Sequence, residues 1–337
     1  MARPLRSLGF LTIGLFDREN PRAGHETTLS IIERGERLGF DSAWLRDRHL
    51  QYGISSPVAV LAAASQRTSR IRLGTAVIPL GWENPLRLAE DLATVDVLSG
   101  GRLEPGFSVG PPRRLDEIAP ALYPDTADRE DFGYERLARL RRFLAGEPAS
   151  PFAGTEGIEE YSERVEPHAA GLADRLWYGA GGPASTTWAA ENGFHLLTSS
   201  VIRSTASTDF DVEQHAQIRL YRDTHPDGEN ARVSQGLVVI PTDSATPEQC
   251  RRYAAYAESR RGRVGIPQGP QGMLFAEDLV GTAEQIAERL LSSRAYPEVD
   301  EVAFALPFSF AADDYAQILD DIAGRLGPLL GWAPAAG

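Results

Sequence analysis

Short apolar or β-branched runs alternate along most of the chain with longer segments whose apolar residues recur every three or four positions. The first pattern is typical of buried parallel strands, and the second is typical of amphipathic helices. In the segment 315–326, for example, Tyr315, Ile318, Ile322 and Leu326 are in phase on one helical face. Alternation of the two patterns predicts repeated βα units with parallel strands.

Eight strands and eight helices are predicted in this way. The strands are 8–15, 42–46, 71–78, 102–108, 176–180, 195–198, 233–240 and 301–306. The helices are 27–38, 57–67, 85–98, 134–144, 185–191, 212–224, 247–260 and 315–326. This order predicts an α/β fold, a single (β/α)₈ TIM barrel over residues 1–337 with insertions in the βα loops. An open doubly wound sheet is the alternative, although no G-x-G-x-x-G follows the first strand.

Two stretches carry no clear period. Residues 111–131 are rich in proline, aspartate and arginine, and residues 260–279 contain the sequence RRGRVGIPQGPQGM. In a barrel the loops that follow the strands line the active-site face. We expect the stretch 260–279 to be a mobile loop, either a lid over the site or plain disorder.

Charge and composition exclude several classes of function. The net charge of −13 argues against nucleic acid and anionic membranes as partners. All 34 residues counted as lysine or arginine are arginine, which excludes Schiff-base chemistry and a P-loop lysine. The one cysteine, Cys250, excludes an intrachain disulfide, and a cytoplasmic location is expected.

Motifs for metal-dependent or serine hydrolysis are missing from the sequence. None of the six histidines stands in an H-x-H or H-E-x-x-H pattern, and there is no G-x-S-x-G. The sequence therefore predicts no metal site.

The segment 41–52, DSAWLRDRHLQY, runs from a predicted strand into Asp47, Arg48 and His49. Charged groups at the C-terminal end of a barrel strand face the substrate, and histidine transfers protons near neutral pH. The alternative is a solvated charge cluster in which Asp47 simply satisfies His49.

Two further segments favour cofactor binding. In RLGTAVIPLGWE, the small residues Gly74, Thr75 and Ala76 would let a flat ring approach the backbone, unless they only fill a buried barrel strand. In GAGGPASTT, glycines and hydroxyls at a helix start form a potential phosphate site. There the alternative is a helix cap without a ligand.

Three blocks of sequence together resemble a known family. Residues 36–110 contain ERLGFDSAWLRDRH, SPVAVLAAASQRTSRIRLGTAVIPL and NPLRLAEDLATVDVLSGGRLEPGFSVG; later come LWYGAGGPASTTWAAENG and LVGTAEQIAERL. They resemble the bacterial luciferase-like, flavin-dependent oxidoreductases, whose fold is a (β/α)₈ barrel. Residues 206–278 match only loosely.

The resemblance implies a set of flavin-binding positions. Backbone atoms of Ala76 and Val77, next to Thr75, would contact the isoalloxazine ring, and Ser108 and Val109 would flank it. The phosphate would be held by the following residues: Tyr134, Arg136, Gly181, Gly182, Ser185 and Thr186.

The chain departs from the luciferases at two of these positions. His49 occupies the second histidine of their "EHH" signature, but Arg48 replaces the first, which puts aldehyde oxidation with light emission in doubt. Val109 stands where luciferases carry an arginine, so phosphate binding would depend more on hydroxyls and backbone.

The resemblance implies a monooxygenase that uses reduced FMN, supplied by a separate flavin reductase, and molecular oxygen to oxygenate a small organic substrate. His49, aided by Asp47 and Arg48, would handle the proton. One alternative is a deazaflavin-dependent hydride-transfer enzyme, with Arg113 and Arg114 near the cofactor's anionic tail. Another is a non-catalytic flavin-binding barrel. A homodimer is also expected, with the apolar helix 85–98 as the candidate interface.

Overall fold

The computed structural model describes residues 5–334. Its strands are β1 (Ser7–Thr12), β2 (Ser42–Leu45), β3 (Arg72–Thr75), β4 (Ile78–Pro79), β5 (Leu103–Glu104), β6 (Gly106–Ser108), β7 (Gly154–Glu156), β8 (Glu159–Tyr161), β9 (Trp177–Gly179), β10 (His195–Leu197), β11 (Val201–Arg203), β12 (Val233–Gln235), β13 (Val239–Pro241), β14 (Met273–Phe275), β15 (Leu279–Gly281) and β16 (Glu301–Ala305). Its α-helices are α1 (Pro21–Leu38), α2 (Pro57–Ser65), α3 (Pro85–Ser99), α4 (Leu115–Leu122), α5 (Tyr134–Leu144), α6 (Pro183–Glu191), α7 (Phe210–Thr224), α8 (Pro247–Arg261), α9 (Ala283–Ser292), α10 (Ala312–Asp321) and α11 (Gly327–Leu329).

Ten strands form one parallel sheet in the order β4-β6-β9-β10-β12-β16-β1-β2-β3-β5. β3 and β4 are consecutive pieces of one segment, separated by Ala76 and Val77, which are joined by a cis peptide bond. β5 and β6 are likewise separated by Pro105. Because β3 pairs with β5 at one end of the order and β4 pairs with β6 at the other, the sheet curls back on itself. The predicted α/β class is confirmed, and the structure shows it as a curled parallel sheet of ten strands.

All eight predicted strands coincide with strands of the structure, with some interruptions. The predicted strand 233–240 divides around Gly236, whose N–H donates to the Thr198 carbonyl oxygen at 3.1 Å. Its second half, β13, pairs with β15 outside the main sheet. The helix predicted from residue 27 begins at Pro21, because the Asn20 side chain caps it by accepting from the Ala23 N–H.

The two stretches predicted to be irregular contain regular structure. Residues 111–131 include α4, and residues 260–279 include β14, which forms an antiparallel pair with β11. The mobility predicted for 260–279 remains a prediction.

A separate apolar cluster fills the space inside the curled sheet. Trp44 and Trp177 contact each other edge to face, with ring centroids 5.4 Å apart, and the smaller apolar side chains Leu11, Ala76 and Val77 pack on this cluster. A Cβ atom on Gly74 would lie 2.3 Å from the Trp44 ring. The absence of a side chain at Gly74 therefore accommodates Trp44 and not a cofactor ring, which supports the buried-strand interpretation of this position.

Ion pairs close the N-terminal end of the sheet interior. Arg232 lies 4.6 Å from the Trp177 ring and contacts Glu104 at 3.1 Å and Glu301 at 2.6 Å, while Arg72 contacts Glu104 at 3.0 Å. Burial alone would raise the pKa of Glu104, but Arg72 and Arg232 together lower it. This end of the sheet interior is therefore occupied by paired charges.

Among residues 5–334, no helix combines the length and the apolar character that crossing a membrane requires.

Candidate active site

His49 lies in the loop that follows β2 and is held by an aromatic neighbour. Its imidazole stacks on the Trp82 indole, with centroids 4.2 Å apart and planes 13° apart. Its Nε2 atom is 3.3 Å from Oδ2 of Asp47, whose side chain is fully buried. Neither Asp47 oxygen nor His49 Nε2 has a hydrogen-bond partner of good geometry among the described residues. The predicted proximity of His49 and Asp47 is therefore present.

Glu83 joins this pair and was not predicted. One carboxylate or imidazole atom from each of Asp47, His49 and Glu83 lies within 4.8 Å of the other two. Burial raises the pKa of Glu83; the His49 ring opposes the shift and the Asp47 carboxylate reinforces it. Two acids and one imidazole thus share a poorly solvated space, an arrangement suited to proton transfer.

The same three side chains would also make a chemically reasonable metal-ligand set, because imidazole nitrogen and carboxylate oxygen both bind divalent cations. The sequence predicted no metal site, and the motifs searched there could not detect ligands contributed by two separate loops. The Arg48 guanidinium interacts electrostatically with Asp47 and so opposes a second cation nearby.

Arg136 positions the Glu83 loop. Its Nε and one Nη donate to the Glu83 carbonyl oxygen at 3.1 and 2.8 Å, and its other contacts are Glu130, the Asp131 carbonyl and the Tyr123 hydroxyl. Tyr123 in turn donates to the Gly81 carbonyl oxygen at 2.8 Å. All five N–H groups of Arg136 are engaged, so none is left for the phosphate that the sequence assigned to it. The Arg136 guanidinium is fully occupied in holding the loop that contains Glu83, and the sequence pattern could not predict the path of this loop.

Ala76 and Val77, the residues predicted to contact the flavin ring, form a surface next to the interior tryptophans, Trp44 and Trp177; this surface is the Ala76–Val77 shelf. Ala76 and Val77 pack on that cluster, and a Cβ on Gly179 would lie 2.9 Å from Val77 Cγ1. Thr75 is fully buried, and its hydroxyl bonds to the Gly106 carbonyl and amide, each at 2.9 Å. Thr75 therefore joins two strands and offers no free side-chain group to a cofactor.

The predicted phosphate turn precedes α6. The Ser185 hydroxyl donates to the Gly182 carbonyl oxygen at 2.8 Å, and the Thr186 hydroxyl donates to the same oxygen at 3.0 Å. Thr186 is fully buried and also accepts from Gln217 at 3.1 Å. The N-cap of α6 is Gly182, so neither Ser185 nor Thr186 is the cap residue of the alternative interpretation. Both hydroxyls instead bond to the Gly182 carbonyl oxygen, so any phosphate bound here would depend on Gly181, Gly182 and a cation.

Arg203 supplies such a cation and was not predicted. Its backbone N–H donates to the Gly181 carbonyl oxygen at 3.0 Å, and its Nε lies 3.8 Å from the position that a Cβ on Gly182 would take. The side chain is exposed and has no ion pair within residues 5–334. No sequence signal marks Arg203, because its approach to Gly182 depends on the path of the chain after β10.

Tyr134 lies near the same turn. Its ring stacks on Trp188 of α6, with centroids 4.2 Å apart. The Tyr178 hydroxyl interacts with the Val109 backbone and with Tyr134, and burial raises the pKa of Tyr178. Ser108, at the end of β6, pairs in register with Pro79 of β4. The structure thus brings Tyr134, Val109 and α6 together, with Ser108 on the neighbouring strand.

These groups lie in a consistent order around the sheet. The His49 cluster follows β2 and the β4 segment, the Ala76–Val77 shelf separates β3 from β4, and the turn with Arg203 follows β9 and β10. A flat ring on the shelf would therefore have an acid–base group on one side and a phosphate site on the other.

Comparison with known proteins finds monooxygenases and F420-dependent enzymes among those similar to this chain. Limonene 1,2-monooxygenase of Rhodococcus erythropolis is 38% identical over 122 residues, which cover 35% of this chain and 30% of that enzyme. An F420-dependent glucose-6-phosphate dehydrogenase of Intrasporangium calvum is 24% identical over 335 residues, covering 88% of this chain and 92% of that enzyme. The first curated relatives are thus matched over about a third of their length, between 30% and 39%.

A solved structure shares the fold over nearly the whole chain. The oxygenating constituent of 3,6-diketocamphane monooxygenase from Pseudomonas putida, in complex with FMN, superposes with a TM-score of 0.66 at 14% identity, covering 97% of this chain and 99% of that one. A family model described as luciferase-like monooxygenase matches residues 10–300. The chain belongs to the luciferase-like monooxygenase family.

Proposed function

We propose that the protein is a flavin-dependent monooxygenase that takes reduced FMN from a separate flavin reductase and uses molecular oxygen to oxygenate a small organic substrate. The observation that carries this proposal is the position of the Ala76–Val77 shelf between the Gly182–Arg203 turn and the His49–Asp47–Glu83 cluster. The proposal includes closure of the sheet into a complete (β/α)₈ barrel. It also includes a homodimer, through the exposed Val97 and Leu98 of α3, and a cytoplasmic location.

The residues present fit FMN. Arg203 is a cation without an ion-pair partner among the described residues, and it lies beside glycines that leave the backbone accessible to a phosphate. Gly181 and Gly182 with Arg203 would hold the phosphate, and Ala76 and Val77 would support the ring. Once bound, reduced FMN supplies the electrons that activate oxygen.

Residues of the chain itself transfer the proton. His49 Nε2 faces the buried Asp47 carboxylate, which fixes the ring together with Trp82. Glu83, with its raised pKa, carries a proton to or from His49. Trp82 covers one face of the imidazole and excludes water from it.

We infer an apolar substrate from a cavity beside the loop that carries His49. This open cavity of about 690 Å³ lies between the loops after β1, β2 and β16; its lining is mostly apolar or aromatic (Leu15, Phe16, Leu50, Tyr52 and Phe310), with Asp17, Gln51 and Ser309 as polar members. Such a lining binds hydrocarbon surface and gives little orientation by itself.

An F420-dependent hydride-transfer enzyme is the second candidate. It is favoured by the alignment with the glucose-6-phosphate dehydrogenase over 88% of this chain. It is also favoured by the arginines after β2, because a deazaflavin carries an anionic tail.

The two candidates differ in their response to oxygen. The protein is mixed without oxygen with reduced FMN or with reduced F420, and aerated buffer is then added with a panel of apolar ketones and alkenes. We expect tight binding of reduced FMN and product containing an oxygen atom from ¹⁸O₂. Transfer of hydride between F420 and a substrate, with no ¹⁸O incorporated, would replace the first proposal by the second. Flavin retention without either reaction would indicate a non-catalytic flavin-binding protein.

A further inference from the structure

Arg46 points into the open end of the sheet beside the proposed ring shelf. Side chains alternate along a strand, and Ser42 and Trp44 both face the interior, where the Trp44 indole N–H donates to Ser42 Oγ at 2.9 Å. Arg46, two residues further on, faces the same side. Its N–H donates to the Thr12 carbonyl at 3.1 Å, and the Ala76 N–H donates to the Leu45 carbonyl at 2.8 Å. Arg46 therefore lies one strand away from Ala76.

Arg46 is partly buried and lacks a compensating charge. It forms no hydrogen bond or ion pair with another side chain in the part of the chain that the structure describes. Burial, with a smaller contribution from Arg48, lowers the pKa of Arg46 to about 10. The group is nevertheless protonated at neutral pH, so a positive charge persists here.

Arg48 lies near Arg46, and Arg113 lies near Arg48. Burial and the nearby Arg113 guanidinium lower the pKa of Arg48, and Asp47 partly offsets this effect. Neither Arg48 nor Arg113 makes an ion pair of 4.0 Å or less within residues 5–334, and the Asp47 oxygens accept no hydrogen bond from Arg48. Three cations thus gather at one side of the site in a protein whose net charge is −13.

A partly buried cation without a partner is costly, and an anion bound against it recovers part of that cost. Asp47, the carboxylate that interacts with Arg48, lies in the His49 cluster, so an anion bound by Arg46 would come from outside the protein. Guanidinium groups match carboxylate and phosphate oxygens in geometry.

We propose that Arg46 and Arg48, with Arg113 at the rim, bind a carboxylate or phosphate oxyanion of the ligand that lies above the shelf. This inference rests on the proposed function for the position of that ligand. Two sources share the chemistry: an acidic group on an otherwise apolar substrate, or the anionic tail of a deazaflavin. The oxyanion would orient a molecule that the mostly apolar cavity alone could not.

The test compares an anionic probe with its neutral analogue. Benzoate and benzamide are titrated into the protein at constant ionic strength, and binding is followed by ligand-observed NMR. We expect wild-type protein to bind benzoate about tenfold more tightly than benzamide, as is typical of a hydrogen bond to a charged group. Arg46→Gln and Arg48→Gln should each reduce this preference to near unity, while Arg46→Lys should keep part of it.

Arg164→Gln is the matched control. Arg164 is exposed and pairs with Glu166 at 2.9 Å, so its loss should leave the preference unchanged. Thermal melts establish that each variant is folded; should Arg46→Gln not fold, Arg48→Gln carries the comparison. Equal binding of both probes by wild-type protein, or a preference that survives in Arg46→Gln and Arg48→Gln, would overturn the proposal.

A second pair of probes identifies the source. F420 is compared with the same deazaflavin chromophore lacking the phosphate-bearing tail. If wild-type protein binds F420 about tenfold more tightly than the tail-less chromophore, and Arg46→Gln does not, the site binds the cofactor tail. Equal affinity of wild-type protein for F420 and for the tail-less chromophore would assign the site to the substrate. FMN is titrated separately: failure of wild-type protein to bind FMN would refute the proposed function and leave the benzoate result standing.

Discussion

The imidazole of His49 and the indole of Trp82 lie face to face, 4.2 Å apart, although 33 positions separate them in the sequence. The stacking fixes the plane of a ring whose Nε2 points at Asp47, 3.3 Å away. The position of the histidine thus depends on two loops, one after β2 and one after β4.

Replacing His49 by alanine tests its role in proton transfer. We expect the turnover number at saturating flavin and substrate to fall by about 10²- to 10⁴-fold, because a positioned acid–base group contributes on that order. FMN affinity, measured by fluorescence titration, should change little, since the phosphate turn is elsewhere. The control is His215→Gln, at a partly exposed position on α7. Unchanged turnover in His49→Ala would show that this side chain handles no proton.

Replacing Glu83 by glutamine tests whether the pKa of its carboxyl group is raised in the folded protein. Because the folded-state pKa of Glu83 is raised, its ionisation destabilises the fold as pH rises from the unfolded-state pKa through the folded one. Glutamine does not ionise, so the melting temperature of Glu83→Gln relative to wild type should increase between pH 4 and pH 7. A difference that stays constant, or that shrinks with rising pH, would contradict the raised pKa.

Replacing Arg203 by glutamine tests the phosphate turn. We expect FMN to bind about 10- to 100-fold more weakly, because a charge-assisted hydrogen bond to phosphate is lost. Riboflavin, which has no phosphate, should bind wild type and variant alike. The matched control is Arg37→Gln, an exposed position on α1. Should both flavins lose affinity equally, Arg203 would be acting on the shape of the site and not on the phosphate.

Replacing His195 by glutamine tests whether the pKa of this histidine is lowered in the folded protein. Burial, with Arg232 nearby, lowers the pKa of His195 to about 4. A histidine with a lowered folded-state pKa contributes stability that is complete above its unfolded-state value of 6.5 and is lost as pH falls towards 4. Between pH 7 and pH 5, wild-type protein should lose about 2 kcal/mol of unfolding free energy from this source.

His195→Gln should not show this pH-dependent loss of unfolding free energy. The measurement is urea unfolding of wild type, His195→Gln and the control His215→Gln at pH 7 and at pH 5. Parallel losses in all three proteins would mean that His195 is protonated with equal ease in the folded and unfolded chain.

Removal of divalent metal tests the alternative use of the His49 cluster. We expect dialysis against EDTA to leave turnover unchanged, because Asp47, His49 and Glu83 act on a proton and Arg48 opposes a cation. Added Mn²⁺ or Zn²⁺ should not stimulate the dialysed enzyme. A loss of turnover that one of these ions restores would identify the cluster as a metal site.

Much of the scaffold could be predicted because it is encoded locally. Runs such as residues 71–78 and 301–306 bury both faces of a strand, and the contact of His49 with Asp47 spans only two positions. Glu83 and Arg203 could not be predicted, since each reaches its partners through the path of a loop. Arg136 was wrongly expected to be free for a phosphate, because sequence alone does not show that Glu83, Tyr123, Glu130 and Asp131 occupy all its donors.

The hydrogen bonds that Arg136 and Tyr123 make to the loop 81–83 have a consequence for engineering. Tyr123 of the insertion at 111–131 donates to the Gly81 carbonyl oxygen and accepts from Arg136, which itself donates to the Glu83 carbonyl oxygen, so the insertion helps to position the Trp82 ring and the Glu83 carboxyl. Exchanging this insertion to broaden substrate scope would also retune proton transfer, even if none of the exchanged residues ever met the ligand.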